Sequence, residues 1–229
     1  MIGIIGAMAV EVENLIAVMS ELKTETISSI TYHIGIIEGI DCVVAQCGVG
    51  KVAAAVCAQT MILKYQPSAL INVGVAGGIG RDIHIGDLVI ARGLVQHDMD
   101  TSAIGDPIGL ISGINLVTIP ASDRLVSLVE SEAANVYDGG VHVGIIATGD
   151  QFISNGDKLS KLAEQFGAIA CEMEGGSIAH VCYINHIDFV VIRAISDNAD
   201  EQASTDFLTF ATTSAHKITV LLKNLLPTI

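Results

Sequence analysis

The run FVVIRAI, Phe189 to Ile195, constrains this chain more than any other stretch. Apart from one arginine it is apolar throughout, and such a run reads as a strand covered on both faces. Arg193 sits inside it, where a guanidinium needs a carboxylate or a ligand beside it. One buried cation therefore implies at least one buried anion.

The rest of the chain has the same texture. Apolar runs bounded by Gly, Pro or Asp alternate with segments of helical spacing, the pattern of an α/β layered domain. Strands are predicted at Gly3–Gly6, His33–Glu38, Cys42–Gln46, Ala69–Val73, Asp87–His97, Val141–Thr148, Ile169–Cys171 and Phe189–Ile195. Helices are predicted at Val10–Ser20, Lys51–Tyr65, Ser122–Asn135, Asn155–Phe166, Gly175–Asn185 and Ala203–Leu226. Antiparallel hairpins follow the first strand, so the sheet is expected to be mixed. With 51% hydrophobic and only 16% charged residues, disorder is expected only at the ends. Nothing marks a linker, and residues 1–229 read as one domain. The stretch Asp98 to Ile119 is the longest without a period, which suits a functional or interface loop.

Charge narrows the partners. Lys and Arg number 11 against 25 Asp and Glu, a net charge of −14, and no basic cluster appears. Nucleic acid and anionic membranes are thereby disfavoured. The opening MIGIIGAMAVEV lacks the basic segment of a signal peptide, and no apolar stretch is long and charge-free enough to span a bilayer. A cytoplasmic enzyme or binding protein is expected. The five cysteines form no C-x-x-C pair and the seven histidines are scattered, so buried thiols and no metal site are expected.

In α/β sheets ligands gather beyond the carboxyl ends of strands. Those positions hold Gly6-Ala7-Met8 leading to Glu11, then Gly48 to Lys51, Gly74 to Gly78, Gly149 to Phe152, Glu172-Met173-Glu174, and Ser196-Asp197-Asn198. Small residues and acids recur at one edge and outline a pocket. CGVGK resembles a phosphate loop but lacks its first Gly and its closing Ser or Thr. VGVAGG, Val73 to Gly78, lacks the dinucleotide-binding spacing and reads either as a turn or as a close approach to a ligand. Glu11 and Glu13 suit the start of a helix, and Asp197 suits a cap. Glu172 and Glu174 project to one side if the chain there is extended and diverge if the helix has begun. The alternative to a ligand-binding role is that one or both are solvated or paired with Arg193.

Taken together, IGIIGAM with Glu11, CGVGKVAAA, NVGVAGGI, HDMD, TGDQFI, CEMEGGSIAHVC and FVVIRAISDNAD resemble the bacterial 5'-methylthioadenosine/S-adenosylhomocysteine nucleosidases, within the wider nucleoside phosphorylase superfamily. The resemblance runs nearly end to end. It implies a three-layer α/β/α fold around a mixed, partly barrel-like sheet, a homodimer, no cofactor, and an adenine nucleoside as the small-molecule substrate. It also implies hydrolysis of the N-glycosidic bond, with Asp197 protonating adenine N7 and Ser196 orienting Asp197. Glu11 would activate water, Arg193 would help position that water, and Glu174 would hold the ribose hydroxyls. Met173 would pack on the sugar, Phe152 would stack on the purine, and the Ile153 backbone would read its edge. Val49, Val75, Ala76, Gly77, Glu172 and Phe207 complete the expected substrate contacts. A partner-subunit loop carrying Thr101 and Ile104 would close the 5'-substituent pocket. Ile104 stands where Phe is common, Thr101 where an apolar residue is, and Val75 where a small hydroxyl residue often stands.

The competing readings are an aminodeoxyfutalosine nucleosidase, a purine nucleoside phosphorylase, and a non-catalytic nucleoside-binding protein of the same fold. A phosphorylase needs cations for its dianion, whereas the chain has four arginines and carries Asn72 on the strand entering VGVAGG. A silent binder needs no water-activating acid, which argues for catalysis.

Overall fold

The computed structural model describes residues 1–80, 82–198 and 203–229, with no side chain described for 203–206, 208 and 209. The chain runs β1 (Ile2–Gly6), α1 (Ala9–Ala17), β2 (Ser20–Ile27), β3 (Ile30–Ile37), β4 (Ile40–Gln46), α2 (Lys51–Tyr65) and β5 (Ala69–Gly78). It continues with β6 (Leu88–Gln96), β7 (Thr118–Pro120), α3 (Asp123–Val136), β8 (Val141–Thr148), α4 (Gly156–Phe166), β9 (Ala168–Glu172), α5 (Gly175–Asn185), β10 (Asp188–Asp197) and α6 (Ala203–Leu225).

All the strands join one sheet. β5 lies at its centre, parallel to β1 on one edge and to β10 on the other. β10 pairs antiparallel with β6, β6 runs parallel to β8, and β8 runs parallel to β9. β9 then returns to β5 through Gly77↔Cys171 and Gly78↔Ala170, closing a five-stranded ring. From β5 the sheet also extends outward through β1, β4, β3 and β2. It is therefore a barrel with an open wing, clad by helices on both sides. Helix α6 contacts both α1 and α3 on one side, and α2 packs on α5 on the other.

The central strands are apolar on both faces because both faces are covered. Ile4, Ile5, Leu70, Ile71, Val190, Val191 and Ile192 are closed to solvent. At roughly 25 cal/mol per Å² of buried apolar area, each such side chain contributes about 2 kcal/mol. All five cysteines are buried and reduced, as the spacing implied. Among the described residues no helix is long and apolar enough to cross a membrane.

The structure departs from the sequence reading in several places. The strand β2, SELKTETI, was not predicted; it is an edge strand exposed along most of its length, so it never shows the apolar alternation of a half-buried strand. α1 ends at Ala17, and Ser20 already belongs to β2. The three-residue β7 and a single 3-10 turn, Ser102–Ile104, lie in the expected irregular stretch. VGVAGG is not a turn: β5 continues through it to Gly78 with every residue buried. β10 likewise runs on to Asp197, with a register irregularity between Ile195 and Asp197.

Candidate active site

The carboxyl ends of β1, β5, β9 and β10, with the turn after β4, meet at a cavity of about 430 Å³. Its lining includes Glu11, Val49, Val75, Ala76, Gly77, Phe152, Glu172, Met173, Glu174, Ser196, Asp197 and Phe207. Ala7, Met8 and Cys171 line it too; the motifs containing them were noted, but no contact was assigned to them. A larger hollow of about 530 Å³ lies between α1 and the β2–β3 hairpin, with Glu13 as its one carboxylate. Its titratable groups are His33, the exposed Glu13 and the buried Cys47, whereas several buried carboxylates converge on the smaller cavity, which makes that cavity the candidate site.

Glu11 stands in the first turn of α1, where its carboxylate reaches back over the helix start. Oε2 accepts the N–H groups of Ala7 at 2.7 Å and Met8 at 2.9 Å, and Oε1 accepts that of Val75 at 3.1 Å. The capping role and the cavity-lining role thus belong to the same side chain. Room for it comes from Gly74, where a Cβ would stand 2.6 Å from Oε1 of Glu11. Burial raises the Glu11 pKa above the usual carboxylate range, while the Arg193 charge and the three amides pull it back.

The anion demanded by Arg193 is Glu172. Nη2 of Arg193 donates to Oε2 of Glu172 at 2.5 Å and to Oδ1 of Asn72 at 2.6 Å. Burial opposes the guanidinium charge, but Glu172, Glu11 and Glu174 outweigh it and raise the Arg193 pKa. Oε2 of Glu172 also accepts the N–H groups of Glu174 and Gly175 at 3.0 and 2.7 Å, and Oε1 accepts the Thr148 hydroxyl. A carboxylate at the start of α5 complements the helix dipole. The Glu172 carboxylate is therefore engaged by protein donors, although the residue borders the cavity.

Glu174 diverges from Glu172, as expected once a helix begins. It is the residue preceding α5, with φ −131° and ψ −40°, and its Oε1 accepts the Gly50 N–H at 2.8 Å. Burial and the neighbouring Glu172 raise its pKa, with Arg193 and the Gly50 N–H partly offsetting them. The CGVGK turn accordingly presents its amides and its ammonium to carboxylates of the protein. Lys51 N–H donates to Asp150 and the Lys51 ammonium to Asp98. This is the physical reason the turn is not a phosphate loop.

At the end of β10 the Ser196 hydroxyl donates to Oδ2 of Asp197 at 2.9 Å, and Asp197 is buried. Opposite, the Phe152 and Phe207 rings meet edge to face with centroids 6.0 Å apart. Phe152 remains half-exposed, which suits a ring awaiting a flat apolar partner.

Four of the expected residues lie outside the lining of the main cavity. Arg193 does not line the cavity but lies behind Glu172. Ile153 is buried beside a small adjoining void of about 40 Å³ that shares Gly77, Phe152 and Asp197 with the main cavity. Thr101 and Ile104 do not line the cavity of their own chain; the Thr101 hydroxyl bonds Asp106, and Ile104 is 82% exposed. Sequence reasoning also missed Thr148 and Asn72 as partners of the buried ion pair. Both stand on the strands flanking the cavity, Thr148 directly before the TGDQFI glycine. Among the described residues no group of His, Cys, Asp and Glu is arranged to hold a metal, and no Lys or Arg lines the cavity.

A sequence model of the Phosphorylase superfamily matches residues 1–227. The curated 5'-methylthioadenosine/S-adenosylhomocysteine nucleosidase of Shewanella oneidensis is 42% identical over 207 residues, covering 90% of this chain and 87% of that protein. The crystal structure of the Neisseria meningitidis 5'-methylthioadenosine/S-adenosylhomocysteine nucleosidase with methylthio-immucillin-A superimposes with a TM-score of 0.96 at 30% identity, covering 100% of this chain and 99% of that one. A futalosine hydrolase mutant of Helicobacter pylori superimposes with a TM-score of 0.95 at 33% identity, again over 100% and 99%.

Proposed function

Because the chain belongs to the phosphorylase superfamily and, within it, to the 5'-methylthioadenosine/S-adenosylhomocysteine nucleosidases, we propose that its cavity hydrolyses the N-glycosidic bond of those two nucleosides and of 5'-deoxyadenosine. The observation that carries this reading is the convergence of Glu11, Glu174 and Asp197 on one cavity that no cationic side chain lines, among the described residues.

The bond from C1' to adenine N9 breaks with its electron pair going to the base, leaving an oxocarbenium-like sugar. Asp197 gives a proton to N7, so that neutral adenine departs, and Ser196 orients that carboxyl group. Water bonds to C1' from the opposite face and passes its proton to Glu11. Burial of Glu11 strengthens it as a base near neutral pH. Two such positioned groups supply roughly 10²–10⁴-fold each. Glu174 accepts the ribose hydroxyls, Met173 packs on the sugar, and Phe152 with Phe207 covers the purine. The buried Arg193 acts on the water indirectly, by holding Glu172 and lending positive charge to the Glu11 environment. A phosphate dianion entering the same cavity would meet carboxylates with, among the described residues, no Lys or Arg in the lining, which favours water as the nucleophile.

We assign the active form as a homodimer. Val52 on α2 is 76% exposed, and Val49, which lines the cavity, is 57% exposed. Val49 and Val52 expose apolar surface beside the cavity, suited to covering by a second copy whose Thr101–Ile104 loop closes the 5' side. The futalosine hydrolase likeness favours aminodeoxyfutalosine as a second substrate class, because a larger 5' group would occupy that same side.

The test is release of the free purine base from 5'-methylthioadenosine, S-adenosylhomocysteine, 5'-deoxyadenosine, aminodeoxyfutalosine and inosine, with and without phosphate. Phosphate-independent release from the first three is expected, with release from aminodeoxyfutalosine as the outcome that supports the second substrate class. Strict dependence on phosphate would overturn the hydrolase reading.

A further inference from the structure

The GVGK turn takes part in an arrangement that the catalytic reading leaves unused. Lys51 opens α2, and its Nζ lies 2.6 Å from Oδ1 of Asp98 and 3.4 Å from Oε1 of Gln96. The other oxygen of Asp98 accepts the Asp150 N–H at 3.0 Å, and Oδ1 of Asp150 accepts the Lys51 N–H at 2.8 Å. Three loops, after β4, β6 and β8, are thereby closed into one ring of bonds. The Lys51 and Asp98 side chains are only 20% and 18% exposed, so water screens this pair less than a surface one.

The ring adjoins the cavity at two points. Gly50, immediately before Lys51, donates the N–H that Glu174 accepts. Gly50 adopts φ +97°, and a Cβ there would stand 3.0 Å from Oδ1 of Asp150, so the turn and that carboxylate are fitted to each other. On the other side Asp150 is followed within two residues by Phe152, which lines the cavity.

We propose that Lys51 and Asp98 are positioning residues for substrate: their ion pair holds the Gly50 N–H on Glu174 and ties it to the loop bearing Phe152, so that the sugar wall and the base wall are set together. Neither side chain lines the cavity. The inference rests on the reading of Glu174 as the acceptor of the ribose hydroxyls.

The experiment measures kcat and KM for 5'-methylthioadenosine across the neutral pH range in the full-length protein and in Asp98→Asn, Lys51→Met, Lys51→Arg and Glu174→Gln. An amide at position 98 accepts from one of its two donors and repels the other. KM in Asp98→Asn is expected to rise about tenfold with a smaller change in kcat, the scale of one hydrogen bond to a charged group. The acid limb of kcat/KM should also move to higher pH. Glu174 is faced by Glu172, Arg193, Glu11 and the Gly50 N–H. Loss of that N–H raises its pKa, whereas simple removal of the Asp98 charge would lower it, so the direction of the shift separates geometry from charge. Lys51→Met should raise KM in the same way, including if Asp98→Asn fails to fold, and Lys51→Arg should restore most of the affinity. Unchanged KM in the folded variants, or an acid limb displaced to lower pH in Asp98→Asn, overturns the proposal. A Glu174→Gln protein with normal KM would instead refute the ribose reading on which it rests.

Discussion

Nη2 of Arg193 stands 2.5 Å from Oε2 of Glu172, and both side chains are 2% exposed. Removing one member of such a pair strands a charge away from water, a loss of about 3–5 kcal/mol. Glu172→Gln is therefore expected to lower stability by about that amount, measured by chemical denaturation. The double variant Glu172→Gln with Arg193→Met should recover part of it. A single variant as stable as the parent would contradict the pairing.

Asp197→Asn keeps the shape of the end of β10 but removes the ionisable proton. Adenine release should fall by roughly 10²–10⁴-fold, while binding of 5'-methylthioadenosine stays measurable by calorimetry. Full retained turnover would dismiss Asp197 as the acid.

Gly74→Ala tests the fit of Glu11. The new Cβ would stand 2.6 Å from Oε1, and that oxygen cannot move without breaking the Val75 bond. Hydrolysis should drop at least about tenfold, the scale of one hydrogen bond to a charged group, and overpacking should lower stability by about 1–3 kcal/mol. Wild-type rates would mean that Glu11 has slack, contrary to the structure.

Glu174 makes the empty protein's stability depend on pH. Its pKa is raised from 4.5 to about 7, so the folded state holds that proton more tightly than the unfolded state. The contribution is fully present below pH 4.5 and is lost as pH rises through about 7, on the order of 3 kcal/mol across that window. Glu174→Gln lacks this loss, so it should gain stability relative to the parent between pH 5 and pH 8. Denaturation midpoints at the two ends of the window check it, and parallel pH profiles would refute the assignment.

How much of this was legible beforehand depended on what each residue touches. FVVIRAI announced a strand covered on both faces, and Arg193 announced its anion, because burial of a cation has few solutions. Which acid would answer was open: Glu172 and Glu174 are two residues apart, and only the start of α5 separates them. VGVAGG stayed open between a turn and a close approach to a ligand because local glycine preference says nothing about Glu11, which approaches from the first helix and occupies the space that a side chain at position 74 would need. The exposed β2 was missed because an edge strand has no buried face to repeat every second residue. The Lys51, Asp98 and Asp150 ring joins segments far apart in the chain, so no spacing rule reaches it.

The pair Gly77↔Cys171, which with Gly78↔Ala170 closes the ring of strands, also lines the cavity. That seam joins distant parts of the chain, and a contact of high sequence separation repays its loop-closure entropy only once the intervening structure is in place. The cavity wall is therefore complete only with the seam shut. A ligand bound across the seam in turn acts as a rivet, favouring the closed ring over the unfolded chain by mass action.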